Sequence, residues 1–313
     1  MPVDAKLQTI LDAGKALGLP PIETMTVDEA RAERAAMMAR FVPMPEYADV
    51  QVEERTISTG GREIGVRVYR PAGAQGLLPV VVFFHGGGFV VCTLETHDPY
   101  CRALAAEAKA VVVSVDYRLA PEHKFPAGVE DSLAATEWVL EHFAELGGDG
   151  SRVFVAGDSA GGTLAAVVAL LLRDKGVTGL AGQILIYPVT AYYDPPTASY
   201  LDMAEGYGLT RKGMIWFWDH YLKDKSEAKD FRAAPLMAKS LSGLPPAFVV
   251  TAEYDVLRDE AQAYAKRLKE AGVEVTYVFG EGMNHGFAVS PNEFPFLPQA
   301  KELLRRVAGW VAG

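Results

Sequence analysis

Val153-Phe154-Val155-Ala156-Gly157-Asp158-Ser159-Ala160-Gly161-Gly162-Thr163-Leu164 carries an apolar, strand-like run into a glycine-flanked serine and on into an apolar helical pattern. A buried strand that turns sharply into a helix exposes the residue at the bend, and small neighbours let the two backbones approach closely. Ser159 occupies that bend, with Gly157 and Gly161 two residues to either side. This is the setting of a serine nucleophile. The pentapeptide alone is a modest signal, because with 30 glycines in 313 residues about 0.1 such matches arise by chance. The competing reading is an ordinary glycine-rich strand–helix turn, and the rest of the chain decides between them.

Strand-like runs at 50–58, 64–69, 79–84, 110–116, 152–156, 183–187, 247–251 and 274–279 alternate with helical patterns at 99–109, 128–143, 160–175 and 259–271. The first two runs alternate polar and apolar residues, as half-buried antiparallel strands do. Runs such as Val80-Val81-Val82-Phe83-Phe84 are continuously apolar, which suits strands covered on both faces. The pattern predicts an α/β fold with a mostly parallel eight-stranded sheet flanked by helices. Two segments break the rhythm. Residues 1–48 read as helices ending near Pro43 and Pro45, and 190–228 form an insertion with a helical run at 209–223. Both are expected to lie over the sheet as a helical cap on a domain spanning 49–313. In the insertion Met214, Phe217, Trp218 and Tyr221 share one helical face. Packing onto the sheet accounts for most of that face, with part of it available to line a pocket.

The net charge of −10, from 40 acidic and 30 basic residues, argues against non-specific nucleic-acid binding, which needs a positive surface. Two cysteines, Cys92 and Cys101, make neither a disulfide framework nor a zinc spacing, so a reduced, cytoplasmic setting is expected. The stretch Met1-Pro2-Val3-Asp4-Ala5-Lys6 lacks the pattern of a secretory signal. Charge-free stretches at 72–94 and 159–172 are interrupted by Pro79 and three glycines or are short. A membrane span needs about 20 apolar residues, so none is expected.

His85-Gly86-Gly87-Gly88 follows the apolar run at 80–84. A tetrahedral oxyanion must be met by backbone N–H groups, and side chains there would block the approach. Gly86 and Gly87 are the expected donors, joined by Ala160 at the start of the helix after Ser159. A phosphate-cradling loop would instead carry a lysine or the Gly-x-Gly-x-x-Gly spacing, and neither is present. In α/β-hydrolase chain order the histidine comes after serine and acid. Only His220 and His285 of the six histidines follow Ser159. His220 lies in the cap run, whereas His285 sits just past the last strand in Met283-Asn284-His285-Gly286-Phe287. For the acid, Asp255 follows the strand at 247–251. Glu253, Asp259 and Glu260 compete with it, but Asp259 and Glu260 read as the acidic first turn of a helix and Glu253 as a supporting group. His85 reads as a brace for the glycine loop, Asp158 as a residue orienting backbone, and Tyr117–Pro121 as a scaffold turn.

Together His85-Gly86-Gly87-Gly88-Phe89, Gly157-Asp158-Ser159-Ala160-Gly161-Gly162 and Tyr117-Arg118-Leu119-Ala120-Pro121-Glu122 resemble the hormone-sensitive-lipase-like esterases, the bacterial family IV enzymes of the α/β-hydrolase superfamily. The resemblance runs from near residue 50 to the C-terminus, and the helical N-terminal segment is similar to that family's cap. It implies a serine carboxylesterase that hydrolyses short- to medium-chain acyl esters through an acyl-enzyme. It implies a triad of Ser159, Asp255 and His285 and an oxyanion hole at the first two glycines after the histidine. It also implies no cofactor or metal, a small-molecule ester as partner, and homodimers paired through the last strand. Val256 departs from the family's acid motif, which carries proline there. The same residues could cleave an amide or deacetylate a metabolite. A ligand-binding receptor on this scaffold, such as the gibberellin receptors, lacks the catalytic histidine, and here His285 is present.

Overall fold

A computed structural model describes residues 2–38, 44–59, 61–290 and 297–313. The strands are β1 (Gln51–Thr59), β2 (Arg62–Arg70), β3 (Leu78–Phe84), β4 (Val111–Asp116), β5 (Gly148–Asp158), β6 (Leu180–Ile186), β7 (Ala247–Tyr254) and β8 (Val275–Asn284). The helices are α1 (Ala5–Ala16), α2 (Val27–Met38), α3 (Leu94–Ala108), α4 (Ala127–His142), α5 (Ala160–Asp174), α6 (Ala198–Asp202), α7 (Arg211–Tyr221), α8 (Arg258–Glu270) and α9 (Pro298–Ala312).

All the strands join one sheet in the order β1-β2-β4-β3-β5-β6-β7-β8. β2 runs antiparallel to β1 and β4, and every later pairing is parallel. β3 explains why both faces are covered. Each of its residues is buried, and side chains alternate across a strand. Val80, Val82 and Phe84 enter one core with residues of α4, α5 and α8. Val81 and Phe83 enter a second core with residues of α3 and α9. Each fully buried Val, Leu or Phe contributes about 1.5–3 kcal/mol of transfer free energy before entropy is counted. β1 carries the alternating, half-exposed pattern of an edge strand.

Two helices differ from the pattern read in the sequence. α3 begins at Leu94 rather than at Pro99, because Thr93 N–H donates to Thr96 Oγ1 (3.0 Å) and caps the helix a turn earlier. Pro99 therefore lies inside it. α9 is an addition: Ala300, Leu303, Leu304, Val307, Ala308 and Val311 are buried along one face. The end of the N-terminal helices expected near Pro43 falls outside the described residues, and Pro45 opens a short 3-10 turn at Pro45–Tyr47.

Parallel strands place their C-terminal ends on one edge of the sheet, where ligand sites of open α/β sheets form. Here β3, β5, β6, β7 and β8 lead directly to His85, Ser159, Tyr187, Asp255 and His285. The topology thus gathers residues from five separate parts of the chain.

Candidate active site

Ser159 has φ 52° and ψ −121°, a backbone conformation that L residues adopt only under constraint. The constraint is visible. Its N–H donates to Ile186 O (2.8 Å), tying the bend to β6. A side chain on Gly157 would collide with Gly161 and Phe84, and one on Gly161 with the Phe84 carbonyl. Both glycines are therefore needed for β5 to turn into α5 against β3. Of the non-glycine residues with positive φ among those described, only Lys109 lies elsewhere; Phe89, Cys92, Ser159 and Tyr187 cluster at this edge.

His285 Nε2 lies 2.9 Å from Ser159 Oγ, and its Nδ1 lies 2.8 Å from Asp255 Oδ2. Asp255 is buried, and its other oxygen accepts from Leu257 N–H (2.9 Å). The Tyr187 ring packs 4.5 Å from the imidazole. Thus the residues singled out at 159, 255 and 285 meet in one hydrogen-bonded line. The competitors are engaged elsewhere. Glu253 accepts from Gly282 N–H (2.7 Å), and Asp259 from Ser199 N–H (2.8 Å) and Arg258 (2.9 Å). His220 turns its Nδ1 to Trp216 O (2.8 Å) within α7.

In the glycine loop Gly86 N–H, one of the expected oxyanion donors, donates to Asp158 Oδ1 (2.9 Å). Among the described residues no acceptor is found for the N–H groups of Gly87, Gly88 and Ala160. Gly87 and Gly88 have φ of 109° and 59°, and a side chain on Gly87 would strike the Val91 carbonyl. Only glycine permits this turn.

Behind the loop lies a buried polar network. Asp158 Oδ1 also meets His97 Nε2 (3.1 Å), and His97 Nδ1 meets Thr96 Oγ1 (2.8 Å). His85 sets its Nδ1 against Gly86 O (2.7 Å) and stacks on Tyr117, whose hydroxyl donates to His85 O (2.7 Å). Burial first, and then neighbouring His97, push the His85 pKa down to about 4. Near neutrality it is an uncharged imidazole, able to donate from Nδ1 to the carbonyl. His97 was not singled out from the sequence, since an isolated histidine at the start of a helix carries no motif. Above the loop, Phe217 packs against Gly88, and Tyr221 stacks on Phe89 at 3.9 Å.

Glu260 does not serve as a solvent-facing acid in the first turn of its helix. It is 1% exposed, and its Oε1 accepts from Thr190 N–H (2.7 Å) and Ala191 N–H (3.1 Å), holding the chain that leaves β6 past Tyr187. Burial is the largest influence, and it pushes the carboxyl pKa up to about 8 from its ordinary 4.5. Folded chains then keep a proton that unfolded chains have released. Glu260 thus favours folding below pH 4.5, and that contribution is lost as pH climbs through 8. Glu260→Gln keeps the acceptor and removes the ionisation. Its melting temperature should exceed the parent's by at least about 3 °C at pH 9 and by much less at pH 5. Thermal denaturation at the two pH values checks this; a gap independent of pH would contradict it.

Among the described residues no group of three or more His, Cys, Asp or Glu side chains is placed to hold a metal ion. No described helix is long and apolar enough to cross a membrane.

The sequence matches the α/β-hydrolase fold family over residues 81–289. Carboxylesterase NlhH of Mycobacterium tuberculosis is 43% identical over 289 residues, covering 91% of this chain and 88% of that protein. Carboxylic ester hydrolase LipN of the same organism is 42% identical over 294 residues, covering 91% and 77%. The crystal structure of a thermostable esterase from Pseudomonas putida aligns with a TM-score of 0.95 at 41% identity, covering 99% of this chain and 97% of that one.

Proposed function

We infer, for a chain that belongs to the α/β-hydrolase fold family and is a carboxylic ester hydrolase, that Ser159 is its nucleophile, His285 its general base and Asp255 the carboxylate that orients the base. The observation that carries this reading is the line from Asp255 through His285 to Ser159, with separations of 2.8 and 2.9 Å. Asp255 keeps the proton on Nδ1 and leaves Nε2 free to accept. His285 takes the Ser159 proton as Oγ attacks the ester carbonyl, then returns it to the departing alcohol. Water, activated by the same imidazole, frees the acid from the acyl-serine. Gly87, Gly88 and Ala160 N–H groups receive the oxyanion.

Short- to medium-chain acyl esters are the substrate class, as the family resemblance implies. Phe217 and Tyr221 of α7 lie over Gly88 and Phe89, and in this reading they wall the acyl side of the site. In this reading residues 1–48 and 190–228 form the cap, and residues 49–313 the catalytic domain. Pairing of two chains along β8, the terminal strand of the sheet, and a cytoplasmic location for a chain with two unpaired cysteines belong to the same reading.

The test is covalent. A fluorophosphonate should add one equivalent, found by mass spectrometry on the peptide containing Ser159. The labelled protein should lose turnover of p-nitrophenyl esters, which before labelling peaks at short or medium acyl length. Labelling of another residue, or undiminished turnover after labelling, would refute the assignment.

A further inference from the structure

Three consecutive residues of the loop beside Ser159 have positive φ: Gly87 (109°), Gly88 (59°) and Phe89 (64°). The loop closes on itself, with Val90 N–H and Val91 N–H both donating to Gly87 O (3.1 and 2.9 Å). The two glycines adopt this backbone freely, whereas Phe89 is a side-chain-bearing residue in the left-handed region and stays there only when its surroundings over-determine it. Two groups from elsewhere reach its outer side. Ala120 N–H donates to Phe89 O (2.9 Å). Arg31, on α2, donates from Nε to Val90 O (2.9 Å), from Nη2 to Ala120 O (3.0 Å), and in a fork to both Glu122 oxygens (2.7 and 2.8 Å).

One guanidinium therefore joins the loop, the turn that braces it and the N-terminal helix. The ion pair itself adds little, because the Glu122 side chain is 53% exposed and such pairs are screened. What Arg31 supplies is planarity: its donors lie in a rigid fork that an ammonium group cannot reproduce. The hydrogen bond from Arg31 lowers the Glu122 pKa to about 2, so the fork keeps its charged partner in mildly acidic solution. The segment before α2 is tied to the other side of the site, where Trp216 Nε1 donates to Met25 O (3.2 Å) and the neighbouring Phe217 lies on Gly88.

We propose that Arg31 is a positioning residue for the oxyanion hole, acting through Val90 and Ala120 to hold the Gly87 and Gly88 amides at the angle the reaction needs. This rests on the reading of Ser159 as nucleophile. A missing oxyanion donor costs about 10²–10³ in rate, and a misaligned pair should cost part of that. Arg31→Ala is expected to lower kcat about 10–50-fold with KM changed less than threefold. A trifluoromethyl ketone, which forms a hemiketal oxyanion on the serine, should lose affinity by the same factor as kcat/KM. A mere loss of stability would not produce that parallel. Should Arg31→Ala fail to fold, Arg31→Lys keeps the test decisive. It preserves charge and stem but not the fork, and a loss of at least fivefold in kcat is expected. In either variant, kcat within twofold of the parent, or inhibitor affinity unmoved while kcat falls, overturns the proposal. Turnover retained by Ser159→Ala would overturn the underlying reading instead, so the two failures are separable.

Discussion

Ser159→Ala is expected to lower kcat for p-nitrophenyl esters by about 10⁶-fold, the loss seen when a serine nucleophile is removed from a comparable triad. The residue contributes little else. It is 7% exposed, and its side-chain oxygen is poised at His285 Nε2. Its backbone contacts, N–H to Ile186 O and O from Thr163 N–H, survive the substitution. Alanine keeps Cβ, so the positive φ of 52° is no more strained than before. The melting temperature should accordingly stay within about 2 °C of the parent, since no large destabilising mechanism operates. A residual rate above the uncatalysed one would remain, from oxyanion stabilisation and binding alone. Activity within about a hundredfold of the parent in a folded Ser159→Ala protein would contradict the mechanism.

The sheet was legible because burial on both faces leaves a direct trace: Val80–Phe84 and Phe248–Val250 contain no polar residue to place in water. The positions of Ser159, Asp255 and His285 were legible for a related reason. Each stands just past the end of a strand, and parallel strands bring their C-terminal ends to one edge of the sheet. Contacts between distant segments left no such trace. Nothing in His85-Gly86-Gly87-Gly88 tells which of its amides is engaged within the protein. That depends on the Asp158 carboxylate, 72 residues away, capturing Gly86 N–H. Glu260 likewise looks like an ordinary first-turn acid until the chain leaving β6 wraps over it. Arg31 is one of two arginines in α2, and only folding brings Val90, Ala120 and Glu122 to its guanidinium. The chemistry was thus encoded locally, while its alignment depends on tertiary contacts.

Asp255→Asn is the complementary test, because it leaves shape and nucleophile intact and changes one proton. Asp255 accepts two hydrogen bonds, from Leu257 N–H at Oδ1 and from His285 at Oδ2. An amide has one oxygen, and the buried Leu257 N–H has a fixed direction. Turning NH₂ toward it would set donor against donor and leave a buried N–H unpaired, at about 1–3 kcal/mol. The amide oxygen should therefore stay at Leu257 and present NH₂ to the imidazole. His285 Nδ1 then becomes the acceptor, its proton moves to Nε2, and the nitrogen facing Ser159 Oγ can no longer take a proton. The expected cost is about 10⁴ in kcat, with KM nearly unchanged and fluorophosphonate labelling slowed in proportion. Competing carboxylates would predict otherwise. Were Glu253 or Asp259 the true partner, Asp255→Asn would keep more than a tenth of parental activity. Their present engagement with Gly282, Ser199 and Arg258 makes the large loss the outcome to expect.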